Sequence, residues 1–414
     1  MSIRQHILSY TGVNILNASV PFLLLPILTA YLNPSEYGLL SMIQLLMLVS
    51  LPIVLMNTHG LLMMEYTKLT SEKFQSLVST IVWIPVVGFL FLEILFYISS
   101  DYIVQYFHIP LNYLYVIPIF VLLQSIPTIV PIIYQAKKEP FNFGKYKISM
   151  TILNLSFSIL FVVVFSFGWE GRIYGIASSF FIFTFVGFII LYKLNFLRFS
   201  IDKELLSSAL RFGIPLIPHS IAGTFLAMSD RIFLVNMIGE DSVGIYSIAF
   251  QVSTAVAIAM SSINQAWAPH FFDMLNQNPS LEQKKQIVKI SYKIMGVMVS
   301  ITFVFILCSS YIFDLFINNS FHEGKELVNY IAIAFLFQGF YFMVTNYIFY
   351  TKKTYILSII TLSSVIVVLI ANYFFIQAYG ILGSAYAMVL IWVIFFLITW
   401  YISNKLYKMP WRLR

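Results

Sequence analysis

Cysteine and charged residues are both scarce in this 414-residue chain. The single cysteine, Cys308, lies inside an apolar run, which excludes an intrachain disulfide framework and a cysteine-rich metal site. We expect Cys308 to be a small packing residue. Only 10% of the residues are charged, against about 25% in soluble domains. The chain therefore has too few charges to cover a surface that faces water.

Motifs of hydrolytic and metal chemistry are also missing. The sequence contains no HExxH, no CxxC and no phosphate-binding P-loop. Its six histidines show no ligand spacing. We therefore expect neither an enzyme active site nor a bound metal or cofactor.

Apolar residues are abundant instead, at 60% of the chain with a mean hydropathy of +0.87. Stretches of about 20 apolar residues are long enough to cross a bilayer, and these stretches do not alternate as barrel strands do. The sequence predicts an all-α integral membrane protein of about twelve transmembrane helices. The predicted spans are 10–32, 37–58, 76–99, 113–135, 148–167, 173–194, 212–237, 244–267, 291–314, 328–350, 354–377 and 383–403.

The basic residues predict the orientation of these spans. If both termini lie in the cytoplasm, 21 of the 24 lysines and arginines fall on the cytoplasmic side, as the positive-inside rule expects. Arg172, Arg231 and Lys325 are the exceptions. The net charge of +7 then reflects topology and an anionic inner leaflet, and we expect membrane lipids rather than nucleic acid as partners.

Two short segments recur along the chain. Glu36–Ser41 opens the second span and Ser242–Ser247 opens the eighth, 206 residues later. Tyr174–Ile176 and Tyr379–Ile381 stand near the sixth and twelfth spans, 205 residues apart. The agreement in offset indicates an internal repeat, although coincidental glycine-rich turns would give the same matches.

The repeat predicts two six-helix bundles in the same orientation. The N-terminal bundle covers residues 1–200, the C-terminal bundle covers residues 201–414, and a loop near residues 195–211 joins them. Parallel repeats of this kind recur in transporters, with the substrate pathway between the halves.

Asp230 and Arg231 are the most costly residues to place in lipid. Both lie in the outer half of the seventh span, and a charge at mid-membrane costs about 2.5 to 3.5 kcal/mol. Adjacent helical residues point about 100° apart, so these two need not pair. Arg231 could receive an anionic head group, with Asp230 orienting it or carrying an ion. Alternatively, the two form a buried structural pair or snorkel to the interface.

Two further titratable residues have two interpretations each. His219 shares a helical face with Asp230 and could meet substrate or a proton, or it could be a packing histidine. Glu93, in the outer third of the third span, could be a coupling carboxylate or could snorkel outward.

Amide side chains on the first, fourth and eighth spans suit sugar hydroxyls better than catalysis. Helix–helix contacts are the alternative role of such groups in membranes. The candidate cavity-lining amides are Asn14, Asn17, Gln124, Gln251 and Gln265.

Three segments in order resemble a known family. Asp230-Arg231, Val243–Ser247 and Asn264–Pro269 follow each other as in Wzx-type flippases of bacterial O-antigen and capsule repeat units, which belong to the MOP (multidrug/oligosaccharidyl-lipid/polysaccharide) exporter superfamily. The resemblance covers the whole chain. It implies a V-shaped cavity between two bundles that opens alternately to each side of the inner membrane.

The resemblance also implies a substrate and partners. Family members look like carriers of undecaprenyl-diphosphate-linked oligosaccharide, with possible coupling to a proton or sodium gradient, and with a polysaccharide polymerase and a chain-length regulator as possible partners. Arg231 matches a basic position of the family. This chain departs from the pattern after Gly60, where Glu65-Tyr66 replaces an expected basic residue; Arg211 is then the weaker candidate.

Other functions remain open. A multidrug or organic-cation antiporter of the same superfamily would centre on carboxylates, for which only Glu93 and Asp230 qualify. A membrane glycan polymerase or ligase would need a sizeable external loop, whereas the longest here, around Ser100 to Asn112, has about a dozen residues.

Overall fold

The computed structural model describes residue 12 and residues 22–197, 201–351, 353 and 355–412. The helices of the described chain are α1 Phe22–Tyr31, α2 Pro34–Val54, α3 His59–Glu65, α4 Ser71–Ile98, α5 Ser100–Phe107, α6 Leu111–Ala136, α7 Pro140–Ile159, α8 Gly168–Lys193, α9 Lys203–Gly213, α10 Ile217–Met237, α11 Glu240–Asn276, α12 Leu281–Phe316, α13 Gly324–Tyr350, α14 Tyr355–Tyr379 and α15 Ile381–Leu406. A π-helical segment, Leu160–Val164, extends α7, and a 3₁₀ turn, Ile214–Leu216, joins α9 to α10.

The predicted membrane spans are present as helices. Eleven helical segments within the described residues are long and apolar enough to cross a membrane. Each overlaps one of the second to twelfth predicted spans. Most of the first predicted span lies outside the described residues, and its described part contains α1. The expected all-α, multi-pass membrane fold is confirmed.

Two segments predicted as loops are helical instead. The external segment after residue 100 contains α5, and the loop expected near residues 195–211 contains α9. The side chain of Asp202 begins α9 by accepting hydrogen bonds from the backbone N–H groups of Glu204 and Leu205, at 2.9 and 3.1 Å. Hydropathy averaging misses such an amphipathic segment, because its polar face cancels its apolar face.

The adjoining ends of α11 and α12 run past their predicted spans. Helix α11 has 37 residues and α12 has 36, or about 55 Å each at 1.5 Å per residue. The hydrocarbon core of a bilayer is only about 30 Å thick. Ser280 and Gln283 form a capping box at the start of α12, which ends the intervening turn. Hydropathy detects only the part of a helix that lies in lipid. The backbone hydrogen bonds of the helix can continue beyond the membrane, so the helix is longer than the span that hydropathy predicts.

The chain divides into two compact units, Met1–Met228 (unit 1) and Ser229–Arg414 (unit 2). The boundary between these units falls inside α10. The boundary predicted from the repeat, between residues 200 and 201, rests on a count of six spans in each half. The first half of α10 belongs with unit 1, where the Nδ2 of Asn57 donates a hydrogen bond to the Oγ of Ser220 at 3.0 Å.

Helix α6 shows how unit 1 accommodates proline. Pro118, Pro127 and Pro131 all lie within this helix, and each lacks the N–H that would bond the carbonyl four residues earlier. The carbonyl freed by Pro127 is that of Leu123, and the hydroxyl of Thr184 on α8 donates to it at 2.6 Å. A side chain on a neighbouring helix thus supplies the hydrogen bond that proline removes, as a backbone carbonyl within a membrane requires.

The core of unit 2 is built on α13, which packs against α11 and α15. Hydroxyls cross between these helices: Ser253 donates to the carbonyl of Val328 at 3.1 Å and Ser403 donates to that of Val344 at 2.8 Å. Small polar residues of this kind hold helices together in membranes.

The repeated glycines occupy equivalent positions in one pair only. Gly38 and Gly244 are both buried at the fifth residue of their helices, α2 and α11. In the other pair, Gly175 of α8 packs so closely against α7 that a Cβ would lie 2.7 Å from the Cα of Ser158. Gly380 instead caps α15 at φ +60°, where only glycine is comfortable.

Cys308 is exposed on α12, so the expectation that it is a packing residue is wrong. An outward face of a membrane helix is apolar without being packed by protein, and apolar neighbours in the sequence therefore do not imply burial in the protein core.

Candidate functional site

Three basic residues fall outside the predicted cytoplasmic set, and all three lie on helices that could cross a membrane. Lys325, near the start of α13, is half-buried beside the exposed Asp314, with its Nζ 2.7 Å from the carboxylate Oδ2. Arg172 is the fifth residue of α8 in unit 1, and Arg231 lies on α10 in unit 2. These two arginines are the charges whose environment has to be explained.

Arg231 belongs to a buried cluster with Asp230 and Tyr246. The Oδ1 of Asp230 accepts hydrogen bonds from the backbone N–H of Arg231 at 2.8 Å and from its Nη1 at 3.1 Å. The hydroxyl of Tyr246, on α11, donates to the other carboxylate oxygen, Oδ2. The guanidinium carbon also lies 4.8 Å from the ring centre of Phe250 and 5.5 Å from that of Tyr246. The long arginine side chain folds back, so the adjacent charges do pair.

The cluster is closed in this structure. Asp230 is 7% exposed and Arg231 is 4% exposed. A second polar link lies beside it, where the Nδ2 of Asn372 on α14 donates to the Oγ of Ser229 at 3.3 Å. A buried ion pair adds little net stability, but removal of one partner leaves an uncompensated charge and costs about 3–5 kcal/mol. The geometry therefore supports a structural role here, and an anionic ligand would have to displace Asp230 to reach the guanidinium.

His219 and Arg211 lie at the surface rather than with the buried pair. His219 is exposed near the start of α10, and Gly223, one turn later, has open space around it. The helical face that these residues share with Asp230 thus changes from exposed to buried along α10. Arg211 is exposed at the end of α9, where it lines an open surface cavity of about 530 Å³ with Lys203, among other residues.

The amides of the eighth span are divided between two environments. Gln251 is half-buried on α11, and its backbone carbonyl accepts a hydrogen bond from the hydroxyl of Thr254 at 2.6 Å. Gln265 is exposed and donates to Ser261 on the same helix at 3.1 Å. The neighbouring Asn264 instead accepts a hydrogen bond from buried Asn346 on α13 at 2.9 Å. One amide of this stretch joins two helices, while Gln265 remains exposed.

The remaining candidates give less information. Glu93 is half-buried on α4, five residues before the helix ends at Ile98. Asn14 and Asn17 lie outside the described residues.

Gln124 lines a polar cavity of about 370 Å³ inside unit 1. Its polar lining comes from α3, α6 and α7, and its apolar lining from α6, α7 and α8. The lining residues are His59, Gln124, Pro127, Thr128, Pro131, Ile132, Gln135, Phe143, Lys147, Met150 and Phe180. None of these residues is acidic.

The spacing on α6 places its polar residues on one side of the cavity. Gln124, Thr128 and Gln135 are separated by four and seven residues, which is the period of one helical face. They span about 16 Å along the helix axis, and Gln135 is exposed at the end that the charge pattern assigns to the cytoplasm. The predicted polar face of the fourth span thus lines a cavity.

Sequence reasoning missed several residues of both sites. The charge pattern places Lys147 with the cytoplasmic basic residues and does not predict that it lines a cavity. Helix α7 begins at Pro140, so Lys147 lies about 10 Å along this helix. Proline at a first helical turn is a signal that could have revealed this. Tyr246 lies within the repeated segment Ser242–Ser247, yet no sequence signal pairs it with Asp230. His59 comes from a separate short helix and carries no local signal.

Arg172 is held quite differently from Arg231. Its Nη1 donates to the Oδ1 of Asn154 and to the Oγ of Ser158, both at 2.5 Å and both on α7. The Nδ2 of Asn154 in turn lies 3.3 Å from the Oγ of Ser179. Among the described residues, no carboxylate forms an ion pair with Arg172. This guanidinium ties α8 to α7 through neutral acceptors.

Comparison with known proteins gives the same fold and identifies the family. The model of the family described as "Polysaccharide biosynthesis protein" matches residues 3–275, and that of the MatE family matches residues 215–374. A curated relative from Haemophilus influenzae, "Lsg locus putative protein 1", is 24% identical over 88% of this chain and 91% of its own length. An uncharacterized membrane protein of the same organism is 25% identical over 54% of this chain and 55% of its own length.

Solved structures agree with the fold. An inward-facing multidrug resistance MATE transporter of the MOP superfamily aligns with a TM-score of 0.71 at 12% identity, over 99% of this chain and 96% of that one. The outward-facing form aligns with a TM-score of 0.65 at 12% identity, over 97% of this chain and 95% of that one. At this identity the likeness concerns the fold. The chain belongs to the polysaccharide biosynthesis protein family and has the fold of the MATE transporters.

Proposed function

We propose that this protein translocates undecaprenyl-diphosphate-linked oligosaccharide repeat units across the inner membrane of a bacterium, by alternating access and with an ion gradient as the driving force. The polar cavity of unit 1 is the observation that carries this proposal. It lies within the stretch that matches the polysaccharide biosynthesis family. Amides, a hydroxyl, an imidazole and one lysine ammonium suit sugar hydroxyls and a negative charge.

The physical task of such a carrier is to remove the cost of desolvating the glycan. Sugar hydroxyls and a diphosphate would lose their water in the hydrocarbon core, at several kcal/mol for each unpaired polar group. Polar side chains that line a cavity between helices can replace part of that water, while the polyprenyl tail remains in lipid. Surface polysaccharide such as O-antigen or capsule is the expected product, made with a polysaccharide polymerase and a chain-length regulator as partners.

The multidrug or organic-cation antiporter is the rival function. The MatE match over residues 215–374 and the likeness in fold to multidrug resistance MATE transporters favour it. The site chemistry favours the glycan carrier instead, because the cavity of unit 1 has a lysine and no carboxylate. Of the two carboxylates that an antiporter could use, Glu93 does not line this cavity and Asp230 is already paired with Arg231.

A glycan polymerase or ligase is less well supported. The segment that the sequence predicts as the longest external loop contains the eight-residue helix α5. Among the described residues this leaves no external domain there that could hold an active site.

Deletion of the gene tests the carrier function directly. We expect lipid-linked repeat units to accumulate on the inner leaflet and to clear when the protein is expressed again, because the barrier is movement across the bilayer rather than synthesis. Normal surface polysaccharide in the deletion strain would contradict the proposal. Export of organic cations without any effect on the glycan would favour the antiporter.

Arg231 is proposed to contribute to head-group binding when the cluster opens, with Asp230 orienting it or coupling an ion. Arg231→Gln should abolish surface polysaccharide while the protein still inserts. The matched control is the neutral pair Asp230→Asn with Arg231→Gln, which removes both charges and leaves no unpaired one. If this double variant restores surface polysaccharide, Arg231 acts only in packing. If it inserts stably and still fails, the charged pair acts in transport and is more than a packing element.

A further inference from the structure

The cavity of unit 1 contains one cationic group among neutral ones. Lys147 contributes an ammonium whose Nζ lies 5.2 Å from the ring centre of Phe143. Burial lowers the pKa of His59, so that its imidazole is neutral near pH 7. The Nδ1 atom of His59 is also buried without a hydrogen-bond partner among the described residues. Buried polar atoms are rarely left unpaired without a reason.

The neutral groups are arranged along the cavity as a sugar would require. Gln124 and Gln135 each offer an amide donor and acceptor, and the hydroxyl of Thr128 keeps lone pairs after donating to the carbonyl of Gln124 at 2.8 Å. Phe143 and Phe180 supply flat apolar walls. This combination matches the alternating hydroxyls and C–H faces of a pyranose ring.

The size of the cavity limits what it can hold. At about 370 Å³, it lies near the lower end of ligand pockets, which span about 300–1,000 Å³. A single sugar residue fits such a volume better than a complete repeat unit does. An organic cation is disfavoured, because it would meet an ammonium and no carboxylate.

We propose that this cavity is a binding subsite for one acidic sugar, meaning a pyranose with an oxyanion beside the ring, and that Lys147 binds the oxyanion. The inference rests on the proposed function in one respect, since it takes the sugar to be part of the lipid-linked glycan. The oxyanion has two possible sources. It is either a carboxylate on the sugar itself or the phosphate at its anomeric carbon.

Ligand-observed NMR titration of the full-length protein in lipid nanodiscs tests the subsite. The probes are methyl glucuronide, glucose 1-phosphate, methyl glucoside and inorganic phosphate. We expect at least one acidic sugar to bind about tenfold or more tightly than the neutral glucoside, because a charge-assisted hydrogen bond is roughly twice as strong as a neutral one. Preference for the glucuronide alone identifies a sugar carboxylate, and preference for the 1-phosphate alone identifies the anomeric phosphate.

Lys145 provides a matched control on the same helix. It lies two residues from Lys147, is exposed and does not line the cavity. Lys147→Met should reduce the binding of the acidic sugar about tenfold, to the level of the glucoside, while Lys145→Met leaves it unchanged. Lys147→Arg keeps the charge and should retain the preference, so that a folding defect of the methionine variant can be recognised.

Three results would overturn the subsite. They are equal binding of acidic and neutral sugars by the unmodified protein, equal losses in the Lys145 and Lys147 variants, and binding of inorganic phosphate as tight as that of the sugar anions. If the protein clears lipid-linked repeat units but shows no acidic preference, the subsite is wrong and the carrier function stands. If the preference is present but the deletion strain makes normal glycan, the carrier function is wrong and the sugar site stands.

Discussion

Units 1 and 2 each hold an arginine within a membrane-spanning helix, but they stabilise it by different means. In unit 2, Arg231 has a carboxylate partner, a tyrosine hydroxyl on that carboxylate and two aromatic rings. In unit 1, Arg172 donates to the neutral oxygens of Asn154 and Ser158, and no carboxylate among the described residues forms an ion pair with it. The two units therefore hold a membrane arginine by different chemistry, one through a carboxylate and one through neutral oxygens.

The described cavities differ between the units in the same way. The cavity of unit 1 holds amides and a lysine, whereas unit 2 has a cavity of about 280 Å³ between α14 and α15 whose lining is mostly isoleucine, with Ser363 and Ser364 as its polar members. The difference teaches that the cavity of unit 1 presents several polar side chains, whereas that of unit 2 is almost entirely apolar.

The largest effect is expected when the pair in unit 2 is broken. Asp230→Asn should destabilise the protein by about 3–5 kcal/mol, because it leaves Arg231 buried without a counter-charge. Thermal unfolding in detergent measures this. Asp241→Asn is the control, since Asp241 is exposed on α11 and should change stability little. A loss of less than about 1 kcal/mol on the scale of surface pairs would show that the pair is not closed as described.

A smaller loss is expected in unit 1. Arg172→Met should cost about 1.5–3 kcal/mol, the usual contribution of a hydrogen bond to a charged group, because no opposite charge is left unpaired. A double-mutant cycle with Asn154→Ala should show coupling between the two residues. If Arg172→Met is as damaging as Asp230→Asn, the distinction between the two arginines fails.

The smallest contrast concerns hydroxyls between helices. Thr184→Val in unit 1 removes the donor to Leu123, whose carbonyl Pro127 deprives of its helical partner, and should cost about 1–3 kcal/mol. Ser403→Ala in unit 2 removes a bond to Val344, whose carbonyl keeps the N–H of Ile348, and should cost about 0.6 kcal/mol. Unfolding midpoints of the two variants, measured in one detergent, check the order. Equal losses of stability in the two variants would mean that a hydroxyl bonded to a carbonyl freed by proline contributes no more than one bonded to an ordinary helical carbonyl.

Much of the fold could be predicted from the sequence, because lipid imposes a strict rule on length and hydropathy. Eleven predicted spans coincide with helices, and start signals such as Asn33 with Glu36, which form a capping box on α2, are local. The amphipathic helix α9 was missed, because its polar face hides the signal that a hydropathy average detects.

The site could be predicted only in part, because contacts depend on which helices become neighbours. Asp230 and Arg231 stand out by the cost of their charges, and the polar face of α6 follows from its spacing. The hydrogen bond from Tyr246, the position of Lys147 and the contribution of His59 depend on packing between separate helices. The exposure of Cys308 could not be predicted from the sequence. A helix face in contact with lipid and a face in the protein interior are both apolar, so the neighbours of Cys308 in the sequence do not distinguish them.

The extension of α11 and α12 beyond their predicted spans has a practical consequence. Hydropathy alone suggests that residues 268–290 form a broad loop into which an epitope or fluorescent domain could be placed anywhere. The helices instead leave a short break, where Gln277 and Asn278 are exposed and Asn278 has a φ of +52°. Fusion at this break should be tolerated, since exposed turns accept added sequence, whereas the same fusion ten residues away on either side would interrupt a continuous rod.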